Sequence, residues 1–256
     1  ASAISSLRMA APTKSKWPHD NALLMSLCLD LRQPIERQAQ RLVALGITET
    51  RQALLARARE IFLTQGGAPE MEAFDAAHAF WLEDYALYVA LRQEHGHRAW
   101  WQWPEPVRDR APAALAEARS RHADDLALVR FEQFVFFRQW HELRRAAQTR
   151  GVQLFGDLPI FVAHDSADVW AQRDYFDLDA AGQPRVVAGV PPDYFSPTGQ
   201  RWGNPLYNWT RLQADGFRWW IERLRTQLDL FDLVRIDHFR GFEACWQIPA
   251  DEATAI

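Results

Sequence analysis

The sequence predicts an α/β protein built on parallel strands, either an α/β barrel or an open parallel sheet. Two observations carry that expectation. A helix-then-strand unit occurs twice, and each time the strand ends in an aspartate, at Asp157 and at Asp237. Such units imply parallel strands with their C-terminal tips on the same side. The second observation is the alternation in Val234-Arg235-Ile236-Asp237. Strand side chains point to alternate faces, so Val234 and Ile236 share one face and Arg235 and Asp237 the other. A strand that is apolar on one face and ionic at its tip suits a barrel strand with a site at its C-terminal end.

That ionic tip has two readings. It is either a structural ion pair or a nucleophilic carboxylate. In the second case Arg235 favours the ionised form of Asp237, as a fixed positive charge beside a carboxyl does.

Composition narrows the classes. The chain has 256 residues, 48% hydrophobic and 24% charged, enough for one large domain or two smaller ones. A net charge of −4 offers no basic field for nucleic acid or an anionic membrane. The apolar run over residues 22–29 is too short to span a bilayer. Cys28 and Cys245 form neither a disulfide framework nor a metal pattern, which favours a reducing, cytoplasmic setting. Asn208-Trp209-Thr210 matches a glycosylation acceptor, which matters only in a secreted protein. The 12 tryptophans serve either helix packing or stacking on sugar rings, and only placement separates the two.

Taken in order, residues 1–20 read as a loose terminus. Residues 21–147 read mostly as helix, with Pro34 and Gly46 as breaks and a helix over 48–63. After the turn at Gly66-Gly67, a helix is expected over 70–94, with Phe74, Ala77, Trp81, Tyr85 and Tyr88 recurring at three- and four-residue steps. Trp100-Trp101-Gln102-Trp103 reads as a hydrophobic plug, or as a ligand surface. A long helix is expected over 113–150, closed by Gly151. A strand over 152–157 follows, stopped by Pro159. The span 158–214 is too long for a plain connection. It should hold a short helix from Asp165, a hairpin pairing 175–178 with 185–187, and over 190–205 a loop suited to binding something flat and hydroxylated, or else a rigid surface loop with a packed aromatic tip. Asp215 is expected to cap a helix over 216–228, ahead of a strand over 231–237.

No phosphate-binding glycine loop, metal cluster or serine elbow is present. What remains is Asp157, Asp193 and Asp237 with Tyr194, Trp202 and Asn204 nearby in sequence. Carboxylates with aromatics suit glycoside chemistry, in which an ionised carboxylate attacks or stabilises an oxocarbenium-like centre.

Four ordered motifs sharpen this. They are Gly156-Asp157-Leu158-Pro159-Ile160-Phe161-Val162, the segment from Gly189 through Pro191-Pro192-Asp193-Tyr194-Phe195-Ser196, the segment Gln200-Arg201-Trp202-Gly203-Asn204-Pro205-Leu206-Tyr207, and Val234 through Phe242. Together they resemble the motifs of the 4-α-glucanotransferases (amylomaltases, glycoside hydrolase family 77, α-amylase clan), over roughly residues 50–256. The resemblance implies a (β/α)8 barrel with helical insertions. It also implies retaining transfer of α-1,4-glucan segments to a glucose or maltooligosaccharide acceptor, without metal or organic cofactor. By that resemblance Asp237 is the nucleophile and Arg235 its electrostatic partner. Asp157, Asp193, Asn204 and His238 match binding or supporting positions, and Tyr194, Phe195 and Trp202 lie beside the acceptor side of the cleft.

The implied organisation is an atypical N-terminal segment over 1–48 and a mainly helical insertion over 49–120. Part of the (β/α)8 catalytic barrel follows over 121–256, with a loop insertion at 158–214 and the remainder of the barrel absent. The family's acid/base glutamate and third aspartate are expected beyond Ile256, so this chain alone is expected to be inactive. The alternatives are an α-glucan hydrolase of the same clan and a non-catalytic α-glucan-binding protein.

Overall fold

Residues 51–256 are described by the structure, a computed structural model. The expectations for residues 1–50 lie outside the described residues. They include the N-terminal segment, Cys28, and the breaks at Pro34 and Gly46. The chain divides into two compact units, residues 1–67 and 68–256. In the first, helix α1 (Arg51–Thr64) lies where a helix was expected. Its closing turn has Gly66 at φ 87°, and a side chain at Gly67 would strike the Phe62 ring.

The second unit opens with α2 (Ala68–Ala77) and α3 (Leu82–Glu94), where the sequence predicts one helix over 70–94. Ring packing explains the break between them. The turn lets His78 and Trp81 both face Phe137, at centroid distances of 4.6 and 6.0 Å. Helix α3 then buries Leu82, Ala86, Leu87, Tyr88, Ala90 and Leu91. The tryptophan connector is a plug. Trp100 and Trp103 are buried, and their indole N–H groups donate to His164 O at 2.7 Å and Arg98 O at 3.0 Å.

Two helices, α4 (Glu105–Arg108) and α5 (Pro112–Arg121), lead to the long α6 (Ala123–Gln148). The helix expected over 113–150 is thus interrupted at His122. Its ring nitrogens meet Glu94 at 3.0 Å and Asp125 at 3.1 Å, bridging α3 to the start of α6. Gly151 follows α6 at φ 70°, the left-handed geometry glycine tolerates.

Strand β1 (Phe155–Pro159) is followed by α7 (Ala167–Ala171), capped by the Ser166 hydroxyl accepting from Val169 N at 3.3 Å. Next come β2 (Val186–Val190), β3 (Gln200–Pro205), α8 (Trp209–Ala214), α9 (Arg218–Leu230), β4 (Leu233–Asp237) and β5 (Trp246–Pro249). β1 and β4 pair in parallel, while β3, β2 and β5 form an antiparallel sheet in that order. Asp232 fastens the lower end of the parallel pair. Its carboxylate accepts from Leu154 N at 2.8 Å, Arg144 Nε at 2.9 Å and Gln148 Nε2 at 2.7 Å, joining β1, β4 and α6.

Three local expectations are corrected. The hairpin over 175–187 is reduced to one isolated bridge, Leu178 to Pro184, and β2 pairs with β3 and β5 instead. Gly182 lies under Trp100, where a Cβ would be 2.3 Å from the indole, so core packing fixes the turn before β2 starts. Residues 200–205, expected as loop, form β3. Asp215 does not cap α9. It follows α8 at that helix's C-terminus, and its carboxylate accepts from the Tyr175 hydroxyl, while Phe217 in left-handed geometry opens α9. Asn208 of the sequon is a helix cap, its side chain accepting from Arg211 N at 3.1 Å.

The core joins α3, the tryptophan plug, α7 and the buried faces of β1, α8 and α9, with Trp100, Trp170, Trp219, Trp220 and Tyr207 at its centre. No helix of the described residues is long and apolar enough to cross a membrane.

Candidate active site

The site begins with the register of the parallel pair. Asp157 stands opposite Arg235, and Pro159 opposite Asp237. Period-two alternation sorts the faces as expected. Gly156 and Leu158 are buried, and Val234 and Ile236 pack against the core, while Asp157, Arg235 and Asp237 share the exposed face. Gly156 sits tight against Phe231: a Cβ there would lie 2.4 Å from the ring, so the ring or the strand would have to shift.

Arg235 divides its guanidinium unequally. Its Nε donates to Asp157 Oδ1 at 3.0 Å and its NH2 to Asp157 Oδ2 at 2.5 Å, a bidentate pair. The same NH2 is 3.4 Å from Asp237 Oδ1. The expected Arg235–Asp237 contact is therefore present but secondary. Hydrogen bonding by Arg235 holds the Asp157 carboxyl below the usual carboxylate range, and the same pairing raises the guanidinium.

The residues just past the tips meet as well. His238, left-handed at φ 52°, follows Asp237 directly. Non-glycine residues in that region carry backbone strain and cluster at functional sites. The Trp202 ring stands edge-on to His238 at 4.9 Å, and Phe161 lies 6.4 Å from the same imidazole. Strand β3 thereby reaches the tip of β4. Asn204 ties β3 to the segment after β1, donating from Nδ2 to Val162 O at 2.8 Å.

Asp193, Tyr194 and Phe195 are not brought into this group by any contact. Asp193 Oδ1 accepts from Phe195 N at 2.9 Å and Ser196 N at 2.8 Å, so its carboxylate builds the turn it sits in. Tyr194 and Phe195 project from that turn, 95% and 88% exposed, as an edge-to-face pair 5.6 Å apart. Among the described residues no group of three His, Cys, Asp or Glu side chains could hold a metal ion.

Sequence reading missed the groups behind the tips. The Tyr207 hydroxyl donates to Ile160 O at 2.6 Å, and Arg223 donates to Ile160 O at 3.2 Å and Pro159 O at 2.8 Å. Tyr207 closes one of the four motifs, which was a usable signal. Arg223 lies inside a helix, and nothing in its sequence neighbourhood marks it.

Comparison with known proteins places these observations. The chain is 55% identical over 198 residues to a 4-alpha-glucanotransferase of Thermus thermophilus, covering 76% of this chain and 40% of that protein. It is 48% identical over 186 residues to the Aquifex aeolicus enzyme of the same name, covering 73% and 38%. It thus spans about 40% of the length of these curated relatives. Among solved structures it is similar to an amylomaltase from Streptococcus agalactiae in complex with acarbose. That match has a TM-score of 0.75 at 36% identity, covering 82% of this chain and 43% of the other. A sequence model of the family described as 4-alpha-glucanotransferase matches residues 21–256, and the chain belongs to that family.

Proposed function

We propose that this chain is the portion of a 4-α-glucanotransferase that carries the nucleophile, with Asp237 in that role, and that it forms part of a (β/α)8 barrel. The observation that carries the proposal is the bidentate Asp157–Arg235 pair on the exposed face of two parallel strands, beside Asp237 at the C-terminal end of β4. A parallel pair with one ionic, open face and helices against the other is what part of a barrel presents.

In the first step an Asp237 carboxylate oxygen attacks the anomeric carbon of an α-1,4-glucan. A C–O bond to Asp237 forms, the glycosidic C–O bond breaks, and the departing sugar oxygen takes a proton from a general acid. In the second step an acceptor hydroxyl gives up its proton to that same residue, now a base, and its oxygen bonds the anomeric carbon as the bond to Asp237 breaks, restoring the α-linkage and both carboxyl groups. Arg235 supplies fixed positive charge beside the carboxylate, and Asp157 holds the guanidinium in place. Neither Asp157 nor Asp193 suits the acid role. Asp157 has both oxygens engaged by Arg235, and Asp193 is engaged by its own turn. The acid/base therefore comes from outside these residues, as the motif resemblance implies. Trp202 beside His238, with Tyr194 and Phe195 on the neighbouring turn, would offer apolar faces to sugar rings and exclude water, favouring transfer over hydrolysis. The setting we infer is cytoplasmic.

The test uses the full-length parent protein and maltotriose. Glucose together with maltooligosaccharides longer than the substrate supports transfer. Glucose and maltose alone would show a hydrolase, and binding without turnover a non-catalytic glucan-binding protein. Asp237→Asn should abolish turnover while leaving the fold intact.

A further inference from the structure

The carbonyls of Pro159 and Ile160 lie where β1 ends, immediately after the strand that carries Asp157. Ile160 is buried, and a buried carbonyl left unpaired is costly, whereas Pro159 is exposed. Here they receive three side-chain donors. Arg223 spans both carbonyls with its two terminal nitrogens, at 3.2 and 2.8 Å, and Tyr207 adds a bond of 2.6 Å to Ile160 O. The planar guanidinium fork suits two adjacent acceptors in a way a lysine ammonium does not. Arg223 is itself held, lying 5.2 Å from the Trp219 ring and 5.1 Å from the Trp220 ring. Tyr207 is buried among Phe161, Phe176, Trp209, Trp219 and Trp220.

The other side of Ile160 meets the tip of β4. Gly241, in the turn after Asp237, is buried, and a Cβ added there would lie 2.8 Å from Ile160 Cδ1 and 3.2 Å from His238 Cδ2. Ile160 is thus gripped through its carbonyl by α9 and Tyr207, and through its side chain by the turn that follows the nucleophile strand.

We propose that Arg223 and Tyr207 are positioning residues which clamp the Pro159–Ile160 peptide and, through Ile160 against Gly241, set the spacing of strands β1 and β4, which carry Asp157 and Asp237. Neither side chain touches the two carboxylates. Both act through the backbone of residues 159–160, so their contribution to transfer rests on the assignment of Asp237, whereas the clamp itself does not.

The clamp is read directly in the 256-residue chain by following the Asp157 carboxyl with carbon-13 NMR as pH is varied. The charged groups facing that carboxyl are Arg235 and, across the guanidinium, Asp237. In Arg223→Met the tips should lose register, Arg235 should lose its bidentate grip, and the Asp157 midpoint should move up toward the ordinary carboxylate value. Arg223→Lys, reaching one carbonyl, should restore part of the shift, and Tyr207→Phe should produce a smaller one. An unchanged midpoint in Arg223→Met with a lowered melting temperature would make Arg223 a stabilising residue only and overturn the proposal. If Arg223→Met fails to fold, an unchanged midpoint in both Arg223→Lys and Tyr207→Phe overturns it equally. Because the readout involves no turnover, a parent protein inactive on maltotriose would count against the functional reading and leave the clamp standing.

Discussion

Arg235 contacts two carboxylates but holds only one of them with two hydrogen bonds. Asp157 takes the bidentate pairing, and Asp237 is left with a single longer contact to the same guanidinium. The sign of the resulting pH dependence follows. The folded-state pKa of Asp157 lies below its unfolded value, so the pair's stabilisation is complete above the ordinary carboxylate value of about 3.9. It is lost as pH falls through the lower, folded value. Arg235→Met should therefore raise the Asp157 midpoint in an NMR titration and leave the pair's contribution at neutral pH absent. Arg235→Lys should recover the charge but not the two-bond geometry, so its Asp157 midpoint should fall between the two. Tyr194 sits at the opposite extreme of burial, 95% exposed. Tyr194→Ala should change unfolding free energy by no more than about 0.5 kcal/mol, as surface substitutions do. In the parent protein it should lower the ratio of transfer to hydrolysis. A lowered stability with an unchanged ratio would return Tyr194 to a structural role.

Among the elements, β1 has no spare room on its buried face, where Gly156 lies against the Phe231 ring. Gly156→Ala would place a methyl 2.4 Å from the Phe231 ring, and either Phe231 or the strand must shift. Overpacking of this kind costs about 1–3 kcal/mol. Urea unfolding should show the loss, accompanied by a disturbed Asp157 titration because the register of β1 against β4 is affected. Helix α3 fails differently. Leu87 is fully buried there, and Leu87→Ala should cost about 2–5 kcal/mol with the Asp157 titration unchanged. The pair separates register from bulk stability. The same elements show where periodicity stops being informative. The strand alternation at 234–237 was legible because one face is apolar and the other ionic. Strand β3 was not, since Gln200-Arg201-Trp202-Gly203-Asn204-Pro205 reads as loop chemistry and becomes a strand only through its partner β2. The breaks at residues 78–81 and at His122 were hidden because both flanking helices share the same favourable composition. What interrupts them is a ring cluster at the first and a bridging imidazole at the second.

At the scale of the whole molecule, charged and titratable groups beneath the surface should govern acid stability. Burial holds His164 below the usual imidazole range, against the opposing pull of the Gly182 carbonyl, Asp165 and Asp179, with Arg173 reinforcing the depression. Its ring stacks on Trp101 at 4.0 Å and bonds Gly182 O at 2.7 Å. A histidine with a depressed folded pKa contributes fully above its unfolded value of about 6.5 and loses that contribution as pH drops through the folded value. Melting temperature should therefore decline on acidification below that point, and the decline should be shallower in His164→Asn. It should not vanish, because burial depresses His78 as well. By itself the sequence determined the α/β class, two strands carrying Asp157 and Asp237, their alternation, and the family, because each is written in short-range order along the chain; it misplaced the end of β1, which runs on past Asp157 and takes in Pro159, the residue expected to stop it. Only the tertiary structure decided that Arg235 grips Asp157 more tightly than Asp237. Only there, too, does Trp202 meet His238 while Tyr194 and Phe195 stand apart, and do Tyr207 and Arg223 converge on the end of β1. Those outcomes depend on which strand lies beside which, and at what register. Pairing between residues 78 positions apart, as between Asp157 and Arg235, leaves no local trace for a sequence to carry.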